Sequence, residues 1–151
     1  MKASAAFRVA VLPLLALACA GCRTFSPEQR ATHVEKSSVT TTTGVVYEEL
    51  ALGRGEPAVA GDEVLIDYVV SLENGKPVDS TLDRGVPVTV KLGEAFVRGL
   101  DDGLAGIRAG GRRRITVPPE LAYGDEGVPD LVPPGSTLVF EVHAVEVHRA
   151  H

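Results

Sequence analysis

Alternation of large apolar residues with other residues marks the strongest predicted strand of the chain. Every second residue in this stretch is large and apolar: Val64, Ile66, Tyr68, Val70 and Leu72. A period of two is typical of a strand with one face in a core. The Asn74-Gly75 pair that follows predicts a hairpin turn, because both residue types accept positive φ. Four further stretches predict strands, at 45–52, 86–92, 112–117 and 136–147.

One segment, residues 99–107, has helical periodicity instead. Leu100, Leu104 and Ile107 fall on one face, at spacings of four and three residues. Two aspartates occupy its first turn, where the helix dipole favours negative charge. This is the only convincing helix in the pattern. Mostly antiparallel strands with one short helix predict an α+β domain.

The front of the chain predicts export. A short basic segment precedes the apolar run 9–20, which is shorter than the roughly 20 residues of a membrane span but suits a signal peptide. Small residues then lead into Cys22, an arrangement that resembles the lipobox of bacterial lipoproteins, whose cysteine is acylated. We therefore predict a lipoprotein signal peptide over residues 1–21, with Cys22 acylated. Two alternatives stay open: Cys19 as the acceptor, or an ordinary secretory signal whose cysteines are incidental.

The remainder of the chain divides into a tether and a domain. Residues 22–43 are polar and rich in Ser and Thr, which predicts a flexible tether whose last residues could join a first strand. One domain is predicted over residues 44–151, long enough for a single core. No cysteine follows Cys22, so the domain holds no disulfide.

The charge balance argues against nucleic acid and against broad attraction to anionic lipid. The formal net charge is −5, and it becomes −7 if Lys2 and Arg8 leave with the signal peptide. No later apolar stretch is long enough to cross a membrane. Contact with a membrane is therefore expected through the lipid anchor only.

Metal, phosphate and nucleophile chemistry has little support in the sequence. The histidines do not have the spacing of a known metal site; they are His33, His143, His148 and His151. No Gly-rich phosphate loop and no Ser-His-Asp arrangement can be recognised. We expect neither a metal nor a cofactor.

Five motifs occur in a fixed order across the predicted domain. They are Tyr68, GKPVDST at 75–81, LGEAFVRGL at 92–100, VPPELAYG at 117–124 and VPPGSTLVF at 132–140. Together they resemble the FK506-binding protein (FKBP) family of peptidyl-prolyl isomerases, and the resemblance covers residues 44–148. It implies a twisted antiparallel β-sheet wrapped around one short α-helix.

The resemblance also implies nine site residues. The catalytic group is Tyr68, Asp79, Val97 (through its backbone N–H) and Tyr123, and the substrate-binding group is Val78, Val88, Phe96, Leu100 and Phe140. Three of the second group, Val78, Val88 and Leu100, stand where the family places larger rings. An aromatic side chain buries about 150–250 Å², so a wider and shallower pocket is predicted. Without the family, Asp79 could be a turn carboxylate and Tyr123 a packing residue.

An apolar pocket with a few hydrogen-bond donors is sufficient for prolyl isomerisation. The barrier of about 18–20 kcal/mol comes from amide resonance, which is lost in the twisted transition state. The resemblance therefore implies an isomerase. Together with the predicted signal peptide and lipobox, it predicts one that assists the folding of exported proteins, lipid-anchored in the bacterial cell envelope at the outer membrane facing the periplasm. Its partners would be proline-containing polypeptides, with FK506-like macrolides as further candidate ligands. The alternative is a non-catalytic binding or chaperone module that kept the fold and lost the ring-lined pocket.

Overall fold

The computed structural model describes residues 37–151. Its strands, in chain order, are β1 (Ser38–Thr40), β2 (Val46–Ala51), β3 (Glu63–Leu72), β4 (Pro77–Ser80), β5 (Val88–Lys91), β6 (Arg112–Val117) and β7 (Leu138–His148). Its α-helices are α1 (Thr81–Arg84) and α2 (Arg98–Leu104), and a short 3₁₀ helix covers Pro119–Leu121.

The strands form one antiparallel sheet with β3 near its centre. The order is β1-β2-β6-β7-β3-β4, and β5 also pairs with β3. One edge of β3 pairs with β7 along its whole length. The other edge is shared, because β5 pairs with residues 63–66 and β4 pairs with residues 69–71. Asp67 and Tyr68 therefore lie in a gap between the two shorter strands.

The core lies on one face of this sheet. The alternation predicted for β3 is confirmed, since all five of its apolar positions are buried: Val64, Ile66, Tyr68, Val70 and Leu72. The helix α2 packs against this face with Leu100 and Leu104 fully buried. The predicted α+β class, an antiparallel sheet with one short core helix, is confirmed.

Two glycines allow α2 to lie close against β6. A side chain at Gly99 would overlap Val117, and a side chain at Gly103 would overlap Ile115. Close packing of this kind leaves no room for even one added methyl group. The approach also brings Leu100, on the same helix, into the core.

Arg113 joins β6 to the end of α2. Only 6% of its side chain is exposed, yet its guanidinium has partners on several sides. The Nε atom donates to Glu49 Oε2 at 2.8 Å, and Nη1 donates to the carbonyl oxygens of Gly103 and Ala105 at 2.9 and 2.7 Å. The group also stacks on the Tyr47 ring, 4.5 Å from its centroid. A cation at a helix C-terminus is favoured by the helix dipole, so Arg113 fixes this end of α2.

Several element bounds differ from those predicted. The predicted helix 99–107 is α2, and it ends at Leu104 because Ala105 is extended and Gly106 has a positive φ. Ile107 is nevertheless buried, as predicted. The strands predicted at 86–92 and 136–147 are β5 and β7, which begin two residues later at Val88 and Leu138.

Two shorter helices accompany the predicted one. The helix α1 and the 3₁₀ helix each span about one turn, which is too short to leave a periodic pattern of apolar residues. The strand β4 was not predicted for the same reason, since only four residues carry it.

The sheet begins inside the segment predicted as a tether. The strand β1 pairs with β2 from Ser38↔Glu48 to Thr40↔Val46, in agreement with the expectation that the Thr-rich end of this segment joins a first strand. The predicted signal peptide, Cys19 and Cys22 lie outside the described residues. Within residues 37–151 no helix has both the length and the hydropathy needed to cross a membrane.

Candidate active site

Three aromatic rings meet where the core reaches the surface. The ring centroids of Tyr68 and Phe96 are 5.7 Å apart, those of Tyr68 and Phe140 are 6.1 Å apart, and those of Phe96 and Phe140 are 6.5 Å apart. Phe140 and Tyr68 are buried, whereas Phe96 is 51% exposed. The triangle therefore runs from the core to solvent, and it offers an apolar, ring-lined surface to a ligand.

A carboxylate and a guanidinium converge on the Tyr68 hydroxyl. This hydroxyl donates to Asp79 Oδ2 at 2.7 Å and accepts from Arg84 Nη2 at 3.1 Å. Arg84 Nη1 in turn donates to both oxygens of Asp79 at 2.9 Å. We call Tyr68, Asp79 and Arg84 the polar triad. Because each member contacts the other two, the hydroxyl and the carboxylate have fixed orientations beside the rings.

The triad has one favoured protonation state around neutral pH. Burial opposes the ionisation of Asp79, but hydrogen bonds from Tyr68, Ser80 N–H and Arg84 outweigh it, so the pKa of Asp79 lies below its ordinary value. Partial burial raises the pKa of Tyr68 above its ordinary value, and the hydrogen bond to Asp79 raises it further. The carboxylate is therefore ionised and the phenol is protonated.

Local sequence explains why Arg84 reaches Asp79. Ser80 caps α1, with its hydroxyl accepting from Asp83 N–H at 3.3 Å, and Gly85 ends the helix in the left-handed region at φ 68°. One helical turn thus separates Asp79 from Arg84 and returns the guanidinium to the carboxylate. Arg84 was not among the predicted site residues. The Ser80 cap and Gly85 are signals from which the helical turn could have been predicted. The contact of Arg84 with Tyr68 on β3 could not have been predicted from them.

The loop before α2 is held by Asp101. Its carboxylate accepts from Gly93 N–H at 2.9 Å and from Ala95 N–H at 3.3 Å. Val97 caps the helix with an extended backbone and a buried side chain. Within residues 37–151 its N–H has no hydrogen-bond acceptor.

The remaining predicted site residues differ in how far they join this cluster. Leu100 is fully buried, and Val78 and Val88 are partly buried against the core. Tyr123 follows the 3₁₀ helix and is 38% exposed. In the part of the chain that the structure describes, its ring is not paired with the three rings and its hydroxyl has no partner. The structure thus gathers Tyr68, Asp79, Phe96 and Phe140, whereas within the described residues neither a ring pair nor a hydrogen bond joins the Tyr123 side chain to them.

Across residues 37–151 there is no group of three or more His, Cys, Asp or Glu side chains placed to hold a metal ion. The site consists of aromatic and aliphatic side chains, one ion pair and unpaired donors. Such a site can bind a short apolar segment and hold its carbonyl groups.

Comparison with known families identifies the class of protein to which the chain belongs. Residues 54–145 match the family model described as FKBP-type peptidyl-prolyl cis-trans isomerase. The chain belongs to the FKBP-type peptidyl-prolyl cis-trans isomerase family. The family predicted from the five motifs is confirmed, as is peptidyl-prolyl isomerisation as its activity.

Individual relatives match most of the domain. The chain is 42% identical over 107 residues to the FK506-binding protein of Neisseria meningitidis serogroup B, covering 70% of this chain and 98% of the relative. It is 40% identical over 116 residues to the FKBP-type peptidyl-prolyl cis-trans isomerase FkpA of Escherichia coli K12, covering 77% of this chain but only 42% of FkpA.

Solved structures agree with the fold. The crystal structure of FkpA from Escherichia coli superposes with a TM-score of 0.70 at 40% identity, covering 78% of this chain and 54% of that chain. The crystal structure of AtFKBP13 superposes with a TM-score of 0.66 at 34% identity, covering 72% of this chain and 97% of that chain.

Proposed function

We propose that the protein isomerises X-Pro bonds at the surface formed by the three rings and the polar triad. The observation that carries this proposal is the convergence of Tyr68, Asp79 and Arg84 beside the rings of Phe96 and Phe140. An apolar surface with one rigidly held charge suits a reaction that moves no proton and needs no nucleophile.

The proposed mechanism is preferential binding of the twisted amide. The planar X-Pro amide has charge separated between oxygen and nitrogen, and that separation falls when the bond twists and resonance is lost. A water-poor apolar pocket therefore favours the twisted state over the planar one, which lowers the barrier. The proline ring would lie against the exposed Phe96 and the edge of Tyr68, with the buried Phe140 and Leu100 in the core behind them.

Hydrogen-bond donors hold the peptide while its bond twists. The Val97 N–H, which is free in the described structure, donates to a substrate carbonyl. Tyr123, half-exposed beside the 3₁₀ helix, donates from its hydroxyl to another carbonyl. Asp79 keeps the Tyr68 hydroxyl oriented and provides a fixed negative charge at the edge of the pocket. These assignments follow the family pattern and the geometry described above.

The proposed ligands are proline-containing segments of folding polypeptides. X-Pro isomerisation takes tens of seconds without a catalyst and can limit folding. FK506-like macrolides would enter the same pocket with weaker affinity, because Val78, Val88 and Leu100 offer less contact area than rings.

An isomerisation assay on the purified chain without the predicted signal tests the function. A panel of peptides with different residues before proline, and a slow-refolding protein, serve as substrates. We expect clear acceleration by the wild type and its loss in the double variant Tyr123→Phe, Asp79→Ala. Equal rates for the two proteins would remove catalysis from this site. A folded protein that binds the peptides without acceleration would instead be a binding module.

We further propose that the protein is exported and anchored in the bacterial cell envelope by a lipid on Cys22, at the outer membrane facing the periplasm. The support is the apolar segment before Cys22 and the absence of any cysteine after it. Multiple acyl chains hold a protein firmly, whereas one chain holds it weakly.

Metabolic labelling with a fatty-acid analogue tests the anchor. The wild type and Cys19→Ser should incorporate label and sediment with membranes, while Cys22→Ser should do neither. Labelling that persists in Cys22→Ser but is lost in Cys19→Ser would assign the anchor to Cys19. If the wild type incorporates no label, the segment is an ordinary secretory signal and the proposed anchor is wrong.

A further inference from the structure

On the edge of β3 that faces β4 and β5, the gap leaves one residue of the site, Tyr68, without a strand neighbour. Ile66 pairs with Val88 of β5, and Val70 pairs with Asp79 of β4, but Tyr68, midway between them, pairs with neither strand. In an antiparallel ladder such a residue exchanges both its N–H and its C=O with the adjacent strand. The backbone of Tyr68 therefore needs another partner, because it is buried in the sheet.

The hydroxyl of Thr81 takes the place of the missing strand residue. Thr81 Oγ1 accepts from Tyr68 N–H at 2.8 Å and lies 3.3 Å from the Tyr68 carbonyl oxygen. It also donates toward Asp67 Oδ1 at 3.1 Å, which orients the hydroxyl. Thr81 is fully buried, so water does not compete for these bonds.

Thr81 also lies within the segment that supplies the rest of the triad. It follows Asp79 by two residues and is the first residue of α1, the turn that carries Arg84. One side chain thus links the backbone under Tyr68 to the segment that positions both of its charged partners. A shift of this link would move the Tyr68 hydroxyl relative to Asp79 and Arg84 together.

We infer that Thr81 is a positioning residue for the isomerase site, which aligns Tyr68 with Asp79 and Arg84 by replacing a missing strand partner. Its hydrogen bonds go to the backbone of Tyr68 and to Asp67, so it acts through Tyr68 rather than on the proposed substrate. This inference rests on the proposed function of the same site.

The test uses two substitutions at Thr81 and one stability control. Thr81→Val keeps the shape and removes the hydroxyl, whereas Thr81→Ser keeps the hydroxyl. Ile107→Val, in the core below α2, lowers stability without touching the site. At a temperature where all are folded, we expect kcat/KM to fall about three- to tenfold in Thr81→Val, the scale of one lost hydrogen bond. Thr81→Ser should recover most of it.

A spectroscopic signal separates positioning from general loss of stability. In protein labelled with ¹³C-tyrosine, the Tyr68 Cζ signal should move in Thr81→Val, with its titration midpoint shifted down, because the bond to Asp79 loosens. It should stay near its wild-type position in Thr81→Ser and Ile107→Val. An unmoved Tyr68 signal, with kcat/KM in Thr81→Val equal to that of Ile107→Val, would overturn the inference.

Two further outcomes are also decisive. If the wild type does not accelerate isomerisation, the proposed function fails, and the Tyr68 signal alone decides whether Thr81 aligns the triad. If Thr81→Val does not fold, Asp67→Ala replaces it, since this change removes the acceptor that orients the Thr81 hydroxyl and leaves the buried position filled. A smaller shift in the same direction supports the inference, and no shift overturns it.

Discussion

The Tyr68 hydroxyl is the atom at which the charged and the aromatic parts of the site meet. Its oxygen binds Asp79 and Arg84, while its ring packs against Phe96 and Phe140. At the residue scale, the proposed mechanism depends on the orientation of this group and needs neither a nucleophile nor a metal. A protonated phenol held by two partners and an ionised carboxylate held by three lose little freedom when substrate binds.

Removing this hydroxyl should slow catalysis while the fold is kept. In Tyr68→Phe the ring contacts remain, but Asp79 and Arg84 lose their shared partner. We expect kcat/KM to fall about tenfold, the effect of a hydrogen bond to a charged group. Tyr47→Phe is the matched control, since Tyr47 contacts Arg113 through its ring. Wild-type kcat/KM in Tyr68→Phe would contradict the role of the triad.

The pH dependence of activity should be flat through the neutral range. The pKa of Asp79 is lowered in the folded protein, so its stabilising contribution is present above about pH 4, its unfolded pKa, and is lost as pH falls through the folded value. The pKa of Tyr68 is raised in the folded protein. Its contribution to the stability of the folded state is therefore present below about pH 10, its unfolded pKa, and is lost as pH rises through the folded value. A kcat/KM profile that bends between about pH 5 and 9 would contradict this assignment.

At the element scale, the site depends on short pieces of structure that join longer ones. The strands β4 and β5 each cover part of one edge of β3, and α1 fills the space between them with the side chain of Thr81. The helix α2 brings Leu100 into the core because glycines let it approach β6. Errors in these approaches would displace the pocket floor or the triad.

The contact of α2 with β6 should not tolerate an added methyl group. Gly103→Ala would drive a Cβ into Ile115, and we expect the free energy of unfolding to fall by about 1–3 kcal/mol, the usual cost of overpacking. Ile115→Ala is the partner substitution, because it removes all three side-chain atoms that the new Cβ would meet. The double variant should be more stable than the sum of the single effects predicts, which chemical denaturation can measure. Additive effects would mean that the two positions do not touch.

The buried ion pair of Arg113 at the end of α2 should contribute far more to the free energy of unfolding than the exposed ion pairs of Arg114. Arg113→Met leaves Glu49 and two helix carbonyls without a partner. We expect a loss of about 3–5 kcal/mol of unfolding free energy, as for other broken buried pairs. Arg114→Met, next in the strand with 45% of its side chain exposed, removes only surface pairs and should cost about 0–1 kcal/mol. Equal losses in thermal or chemical denaturation would contradict the account.

How much the sequence predicts follows from the length of each element. Ten residues of β3 carry enough alternation to predict both the strand and its buried face, and α2 carries one apolar stripe. The one-turn helix α1 and the four-residue strand β4 are too short to carry such a period, so the sequence pattern does not predict them. Arg84 was missed with them, because its contact with Tyr68 spans 16 residues and is made only by the folded chain. Tyr68, Asp79, Phe96 and Phe140 were predicted through the family resemblance, and the structure brings them together.

At the scale of the whole molecule, the site is the open end of the hydrophobic core. Tyr68 and Phe140 belong to the two long central strands, β3 and β7, which pair along ten positions. This wall of the pocket is held along its whole length, because one edge of β3 pairs with β7 and the other pairs with β5, with β4 and, at Tyr68, with the Thr81 hydroxyl. Val78, Val88 and Leu100, which stand where the family resemblance implies larger rings, keep this end of the core apolar.

The central claim is that this pocket, with aliphatic residues in place of three rings, still isomerises X-Pro bonds. The most direct measurement is NMR exchange spectroscopy between the cis and trans signals of an X-Pro peptide at equilibrium, with the wild type and with Tyr123→Phe, Asp79→Ala. Exchange without a catalyst takes tens of seconds. We predict exchange cross-peaks with the wild type on a much shorter timescale, and none with the double variant. Cross-peaks of equal strength with both proteins, or none with a folded wild type that binds the peptide, would contradict the account.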